Sequence, residues 1–223
     1  NQHLLNRNIE KKSVLITGAG GSIGSELSRQ AAEKHPSKLI LLDSNEFALY
    51  SIKKELENLD ESIDVFAILA NVTNKARMIE VCKSFSVETV YHAAAYKHVT
   101  IVEENPFEAV FNNIIGTKNM AEAANECNVE TFVLISTDKA VRPTNIMGAT
   151  KRFSELIVQS LATQSSTKMS MVRFGNVIGS SGSAIPLFQE QIKNGGPVTV
   201  THPDVIRYFM SIPEAAELVL QAG

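Results

Sequence analysis

Residues 14–24 read VLITGAGGSIG, and this stretch decides the fold. Its first four residues are apolar or β-branched and predict a buried strand, and three glycines follow at GxxGxxG spacing. The first glycine permits a tight turn, the second lets backbone approach a pyrophosphate, and the third lets helix and strand pack closely. The N–H groups at a helix start attract phosphate. The stretch therefore predicts a dinucleotide site formed by Gly18, Gly21, Ser22, Ile23 and Gly24.

An acidic residue at the end of the next apolar run supports this interpretation. Asp43 lies near the offset of about 20 residues expected for an acid that binds the adenosine ribose. A carboxylate can accept both ribose hydroxyls but would repel a 2′-phosphate, and no arginine follows in Ser44-Asn45-Glu46. NAD is therefore favoured over NADP, with Ser44 beside Asp43 in the site. The alternative is a purely structural glycine turn beside a solvated acid.

Short apolar segments alternate with amphipathic helical patterns along the chain. Each segment is almost continuously apolar, as strands covered on both faces are. Three- and four-residue spacing of apolar residues over 49–59 and 153–161 predicts helices between the strands. Such alternation predicts parallel pairing with right-handed crossovers, and so a doubly wound parallel α/β sheet, the Rossmann fold. The predicted strands are 14–17, 39–43, 65–69, 89–93, 132–136 and 169–174.

The alternation of apolar segments and helical patterns ends after Gly175. Glycines and prolines interrupt the shorter segments that follow, which include a β-like segment at 198–200. We expect a leader over residues 1–12, an NAD-binding domain over 13–175 and a small substrate-binding region over 176–223. Because the chain stops just after a helical pattern at 213–220, we expect this last region to be partial.

Composition argues against several classes of protein. With 44% hydrophobic and 20% charged residues, the chain is ordinary for a soluble domain. A formal net charge of -3 without a basic stripe argues against nucleic-acid binding. No apolar run approaches the roughly 18 to 20 residues of a membrane span. Cys82 and Cys127 form no CxxC, which favours reduced thiols in a cytoplasmic protein, and the five histidines show no metal-ligand spacing.

The remaining motifs resemble the extended short-chain dehydrogenase/reductase family over essentially the whole chain. Residues 92–95 (HAAA) resemble the segment that passes under the adenosine and ribose, and 113–117 (NIIGT) resemble the central helix. Within that family, residues 17–27, 93–99 (AAAYKHV) and 136–152 (STDKAVRPTNIMGATKR) resemble the large bacterial UDP-N-acetylglucosamine 4,6-dehydratases. Those enzymes serve surface polysaccharide and protein-glycan biosynthesis.

The resemblance implies further contacts to NAD. One usual feature is altered, because Asn71 stands where an acidic residue is expected near the adenine; an amide can still meet the adenine edge. The cofactor-binding residues implied in this way are Asn71, Val72, Ala93, Ala94, Ala95, Asn113 and Lys151.

The family's catalytic tyrosine is missing, since Met147-x-x-x-Lys151 falls where Tyr-x-x-x-Lys is usual. Met147 has no ionisable proton, whereas Lys151 can still hold the nicotinamide ribose. The resemblance implies Asp138 as the acid and Lys139 as the base, with Thr137 bonding the C4 hydroxyl of the sugar. We group Thr137, Asp138, Lys139, Met147 and Lys151 as the catalytic constellation; the alternative is a pair that caps a turn.

The two roles constrain the geometry. A base must be neutral and an acid protonated, and a simple ion pair favours the opposite form of each. We therefore predict that Asp138 and Lys139 point to different parts of the substrate or exchange a proton during turnover. The resemblance also implies retention at C5.

Substrate contacts follow from resemblance and charge. Asn176 resembles a residue near the sugar diphosphate, and Arg207 carries a forked, permanent charge suited to a diphosphate. Lys97 could reach the sugar, although Lys97 and Arg207 could equally be solvated surface residues. The candidate substrate contacts are Lys97, Thr137, Asn176, Val198, Thr199 and Arg207.

Two other functions share these features. A UDP-sugar 4-epimerase should carry tyrosine at 147 and would not need Asp138 and Lys139 together. A catalytically silent NAD-sensing domain would have no reason to keep residues 137–139 beside Lys151. We expect a homo-oligomer that contacts itself through helices from about 106 and 147, and the native parent could be tethered to the inner membrane.

Overall fold

Six parallel strands form the central sheet of the computed structural model, which describes residues 6–59, 63–179, 184–199 and 208–223. The strand order is β3-β2-β1-β4-β5-β6, and every neighbouring pair is parallel. This order confirms the predicted doubly wound sheet. The strands are β1 (Ser13–Thr17), β2 (Lys38–Asp43), β3 (Val65–Leu69), β4 (Thr89–His92), β5 (Thr131–Thr137) and β6 (Lys168–Phe174).

Helices connect the strands and cover both faces of the sheet. They are α1 (Ser22–Ala32), α2 (Glu46–Leu59), α3 (Lys75–Phe85), α4 (Val99–Glu104), α5 (Pro106–Ala109), α6 (Gly116–Glu126), α7 (Ile146–Ala162), α8 (Ala184–Lys193) and α9 (Ile212–Gln221). A π-helix, Val110–Ile115, joins α5 to α6, and a 3-10 helix, Asp138–Ala140, follows β5. None of the helices in the described residues is both long and apolar enough to cross a membrane.

Alternate residues of each strand enter two apolar cores. Ile16 and Leu41 pack under α1 and α9, whereas Leu15 and Ile40 pack under α3, α6 and α7. Burial on both faces explains why the strands are continuously apolar in sequence. Cys82 is a free thiol in the second core, where burial raises its pKa to about 12.

The C-terminal region departs from one prediction. A separate parallel pair joins β7 (Asn176–Val177) to β8 (Phe209–Met210). The prediction of a β-like segment at 198–200 is wrong for residues 198 and 199, which lie outside any strand. The Thr199 N–H instead donates to the side-chain oxygen of Gln191 on α8 (3.0 Å). Gly195 and Gly196, both at positive φ, turn the chain back onto α8 and place this amide there. Residue 200 lies outside the described residues.

Both ends of the described chain contribute to the first core. Ile9, which precedes β1, is fully buried there, and so are Ala216 and Val219 of α9. These residues fall within the predicted leader and substrate-binding region. The domain boundaries at 12 and 175 therefore stay predictions.

Candidate active site

A cleft of about 360 Å³ opens beyond the carboxyl ends of β1, β2 and β4. The strand order reverses here, which is where open α/β sheets bind ligands. Among the predicted cofactor residues, Gly18, Gly21, Asp43, Ser44, Asn71, Val72 and Ala93–Ala95 line it. The sequence analysis missed Gly20, Asn45, Ala48, Ala70, Tyr96 and Asn112, which also line it. Most of these lie within one or two residues of predicted ones, so proximity to a strand end was the available signal.

The glycine turn leaves no room for side chains at three positions, and at Gly20 a Cβ would lie 2.5 Å from Ala48 Cβ. Gly18 has φ +66°, and a Cβ there would lie 2.7 Å from Ala94 N. A Cβ on Gly24 would lie 2.0 Å from Gly18 O, which is the close packing of helix on strand that the spacing predicts. Gly21 is the N-cap of α1 and has no side chain to occupy the helix start.

Asp43 hydrogen-bonds the backbone of the glycine turn and also lines the cleft. Its Oδ2 accepts the Gly20 N–H (2.8 Å) and its Oδ1 accepts the Asn45 N–H (2.9 Å). A carboxylate has about four acceptor positions, so capacity remains for ribose hydroxyls. One side chain thus shapes the turn and presents negative charge to the cleft.

Asn71 and Asn113 have different surroundings. Asn71 Oδ1 accepts from the Thr73 N–H (2.9 Å), and its NH₂ has no hydrogen-bond partner within the described ranges, so it is available to a ligand. Asn113 is fully buried; it accepts from the Tyr96 N–H (2.8 Å) and donates to Thr150 Oγ1 (3.0 Å). Asn113 therefore holds the cleft loop against α7 from behind.

His92 links three elements beneath the cleft. Its Nδ1 lies 2.7 Å from Thr17 Oγ1, and its Nε2 lies 3.0 Å from Thr117 Oγ1. The ring is fully buried, and burial lowers its pKa to about 3, assisted by the charge of Lys151. A neutral imidazole therefore joins β1, β4 and α6.

Acid should destabilise the protein through His92. The unfolded chain binds a proton near pH 6.5 and the folded chain only near pH 3, so stability rises with pH between these values and is lost as the pH falls. Between pH 6.5 and 5 this single group should cost about 2 kcal/mol of the free energy of unfolding. Urea titrations of the wild type and His92→Gln measure it: the variant should lose less stability over this range. Equal losses would contradict a neutral His92, and the exposed His98→Gln is the control.

Lys151 is a buried cation one helical turn after Met147. It is only 6% exposed, and burial lowers its pKa to about 8, although the charge of Glu155 acts in the opposite direction. No hydrogen-bond acceptor contacts its Nζ in the part of the chain that the structure describes. A ligand hydroxyl could fill that need.

Met147 packs in a small apolar cluster with Val102 and Ala109 and is 4% exposed. Its side chain packs between α4, α5 and α7, and its grouping with the catalytic residues stays a prediction.

Asp138 and Lys139, the predicted acid and base, lie at the carboxyl end of β5, in the 3-10 helix. Lys139 Nζ lies 3.0 Å from Asp138 Oδ1, and the Thr137 hydroxyl donates to the same oxygen (3.0 Å). The prediction was that the two side chains point to different parts of the substrate or exchange a proton during turnover; in this structure they point to each other. They are neighbours on one tight turn, where opposite charges attract, so they form an ion pair; proton exchange between them stays a prediction.

Residues of the C-terminal region complete this end of the site. Asn176 Oδ1 accepts from Lys139 Nζ (3.3 Å), and a Cβ on Gly175 would lie 3.3 Å from Asp138 Oδ2. Asn176 is thus brought to the base. Lys97 lies on the exposed loop after β4, where partial desolvation lowers its pKa.

The remaining predicted substrate residues belong to the C-terminal region. Val198 and Thr199 lie on the segment that Gln191 tethers, and Arg207 lies outside the described residues. Within the described ranges no group of three His, Cys, Asp or Glu side chains could hold a metal ion.

Fold and site define a Rossmann-fold protein of the short-chain dehydrogenase/reductase type, with a cleft at the carboxyl ends of its parallel strands. A family model described as "Polysaccharide biosynthesis protein" matches residues 14–223, so the chain belongs to that family.

Relatives with printed names include both dehydratases and epimerases. The capsular polysaccharide biosynthesis protein CapD of Staphylococcus aureus is 56% identical over 99% of this chain and 37% of its own length. A UDP-N-acetylglucosamine 4,6-dehydratase (inverting) of Campylobacter jejuni is 33% identical over 94% of this chain and 62% of its own. A UDP-glucose 4-epimerase of Rickettsia canadensis is 35% identical, covering 95% and 62%. The chain therefore spans roughly two fifths to three fifths of these relatives.

Among solved structures, Pen from Bacillus thuringiensis superposes with a TM-score of 0.89 at 34% identity, covering 96% of this chain and 68% of that one. This agreement supports the arrangement of strands and helices around the cleft.

Proposed function

We propose that this chain carries the active site of an NAD-dependent UDP-N-acetylglucosamine 4,6-dehydratase for surface polysaccharide or glycan biosynthesis. The observation that carries the proposal is the Asp138–Lys139 pair, 3.0 Å apart beside the cleft, in a chain with Met147 in place of the usual tyrosine. Oxidation alone needs one base. Removing water from a sugar needs both an acid and a base, and this pair supplies both.

The residues present fit NAD. Gly18 and Gly21 leave backbone exposed for a pyrophosphate, and Asp43 suits the adenosine ribose while its charge opposes a 2′-phosphate. Lys151 offers its Nζ to the nicotinamide ribose. When bound, NAD supplies the hydride acceptor for C4 of the sugar and, once reduced, the hydride donor for C6.

The protein's own residues handle the protons. A ketone at C4 acidifies the C5 hydrogen, so neutral Lys139 can remove it while protonated Asp138 donates to the departing C6 oxygen, which leaves as water. Moving one proton from Lys139 Nζ to Asp138 Oδ1 creates both reactive forms in a single step. Thr137 hydrogen-bonds the C4 hydroxyl and relays its proton to solvent water as C4 is oxidised. Lys139 returns a proton to C5 and then takes one from solvent, which restores the resting ion pair. Because the proton returns to the face of C5 from which it left, the configuration at C5 is retained. The product is then the xylo-configured 4-keto-6-deoxy sugar.

Mass spectrometry of UDP-N-acetylglucosamine incubated with the chain and NAD tests the proposal. The product should be lighter by one water, NADP should replace NAD poorly, and NMR should give the retained C5 configuration. An unchanged mass would refute dehydration. The relative from Rickettsia makes epimerisation the second candidate, and it would appear as an unchanged mass with inverted C4. Two features argue against epimerisation: an epimerase should carry tyrosine at 147, and it would not need Asp138 and Lys139 together.

We further propose that the enzyme is a cytoplasmic homo-oligomer. Five large apolar side chains on α5, the π-helix and α7 are exposed: Phe107, Val110, Phe111, Phe153 and Leu156. Adjacent exposed aromatics of this kind are typical of an interaction surface, and they lie on the helices from about 106 and 147 that the sequence predicted as contacts. Light scattering should give a mass above 24.3 kDa for the chain.

A further inference from the structure

Glu155 is a fully buried carboxylate that the proposed chemistry does not use. It accepts hydrogen bonds from Ser136 Oγ (2.6 Å), Arg173 Nε (2.7 Å) and Arg152 Nη1 (2.9 Å). Burial alone would raise its pKa, but these donors, Arg173 foremost, outweigh burial and lower the pKa to about 2. Glu155 is therefore a fixed anion at any pH at which the protein works.

These hydrogen bonds join the three elements that carry the site. Ser136 is the penultimate residue of β5, immediately before Thr137 and the Asp138–Lys139 pair. Arg173 lies on β6, two residues before Gly175, which borders Asp138 Oδ2. Glu155 itself lies on α7, one turn after Lys151. A shift of α7 along the sheet would have to break the bonds to both strands.

We propose that Glu155 is a positioning residue that fixes Lys151 on α7 relative to the Asp138–Lys139 pair on β5. The inference rests on the proposed function, because it assigns a task within that reaction. Glu155 touches neither member of the pair and acts through Ser136 and Arg173.

A second observation links α7 to the turn that carries the pair. A Cβ on Gly148, in the first turn of α7, would lie 2.3 Å from Lys139 O. The helix backbone thus presses directly on the turn that carries the base. Any displacement of α7 is transmitted to Lys139 unless the link from Glu155 to β5 and β6 prevents it.

Stability alone gives a weak reason for such a network. Replacing a buried ion pair by apolar residues is often neutral or stabilising, because desolvation offsets the Coulomb attraction. The forked guanidinium of Arg173 instead imposes direction, since two of its nitrogens bond the two carboxylate oxygens. Directional bonds fix the register of helix on strand, which apolar packing leaves looser.

Two arginines offer a matched test. Both bond Glu155 and both side chains are 38% exposed, but Arg152 lies on α7 itself whereas Arg173 bridges to β6. Arg173→Met should lower kcat about 30- to 100-fold with KM nearly unchanged, as expected for a displacement of about 1 Å at the reacting groups. Arg152→Met should keep kcat within about twofold. Equal kcat in Arg173→Met and the wild type would overturn the proposal, as would equal losses in both variants.

Hydrogen exchange gives a readout that does not need activity. In Arg173→Met without substrate, the amides of residues 138–141 should exchange faster than in Arg152→Met, and identical exchange would contradict positioning. Should Arg173→Met fold poorly, Glu155→Leu with Arg173→Met removes both charges, and it should fold yet show the same kcat loss. A wild type that leaves UDP-N-acetylglucosamine unchanged would refute the proposed function, while the exchange measurement would still decide the positioning role.

Discussion

Lys139→Met should abolish exchange of the C5 hydrogen of the substrate with deuterated solvent, with a fall of about 10³-fold in turnover. General bases contribute roughly 10²- to 10⁴-fold, and methionine keeps the length of the side chain while removing its basic nitrogen. Lys139 Nζ contacts both Asp138 Oδ1 and Asn176 Oδ1, so it occupies the centre of this end of the site. The measurement is deuterium incorporation by NMR in the presence of NAD.

Asp138→Asn is the matched variant for Lys139→Met. The amide keeps the shape and one acceptor oxygen but cannot protonate the leaving hydroxyl. C5 exchange should therefore survive at a reduced rate, while loss of water stops. Full dehydration by Asp138→Asn would rule out Asp138 as the acid. Normal exchange of the C5 hydrogen in Lys139→Met would rule out Lys139 as the base. Lys53→Met, on the surface of α2, should leave both steps unchanged.

Gly24→Ala should lower the stability of the protein by about 3 kcal/mol and remove NAD binding with it. The added Cβ would lie 2.0 Å from Gly18 O, so α1 has to move away from β1. Overpacking costs about 1 to 3 kcal/mol, and contact with backbone belongs at the upper end because backbone cannot rotate aside. Calorimetry should show Tm lower by about 6 to 12 °C.

Gly21→Ala separates folding from binding at the same turn. Its backbone conformation suits alanine, and the new Cβ would meet only Gly18 O, at 3.3 Å. Tm should therefore change little. A methyl group at the helix start should lower the affinity for NAD at least about tenfold, which is 1.4 kcal/mol of binding free energy. Unchanged NAD affinity in Gly21→Ala would contradict the placement of the pyrophosphate, and an unchanged Tm in Gly24→Ala would contradict the packing.

Local sequence patterns predicted most of the fold because they record local requirements. Continuous apolar runs reflect burial on both faces, and the spacing of Gly18, Gly21 and Gly24 reflects one turn. The prediction failed at residues 198 and 199, where residues typical of strands lie outside any strand and Thr199 bonds α8. The hydrogen bonds of Gln191 decide that segment, and they are invisible to β propensity.

The chain's sequence by itself determined the sheet, the dinucleotide cleft and which residues stand at the end of β5. Only the tertiary structure decided how those side chains pair: Asp43 with the Gly20 amide, Lys139 with Asp138 and Asn176, and Glu155 with Ser136 and Arg173. The physical reason is that a hydrogen bond needs atoms within about 3 Å. Strand register and helix packing bring distant parts of the chain to that distance, and no local pattern encodes it.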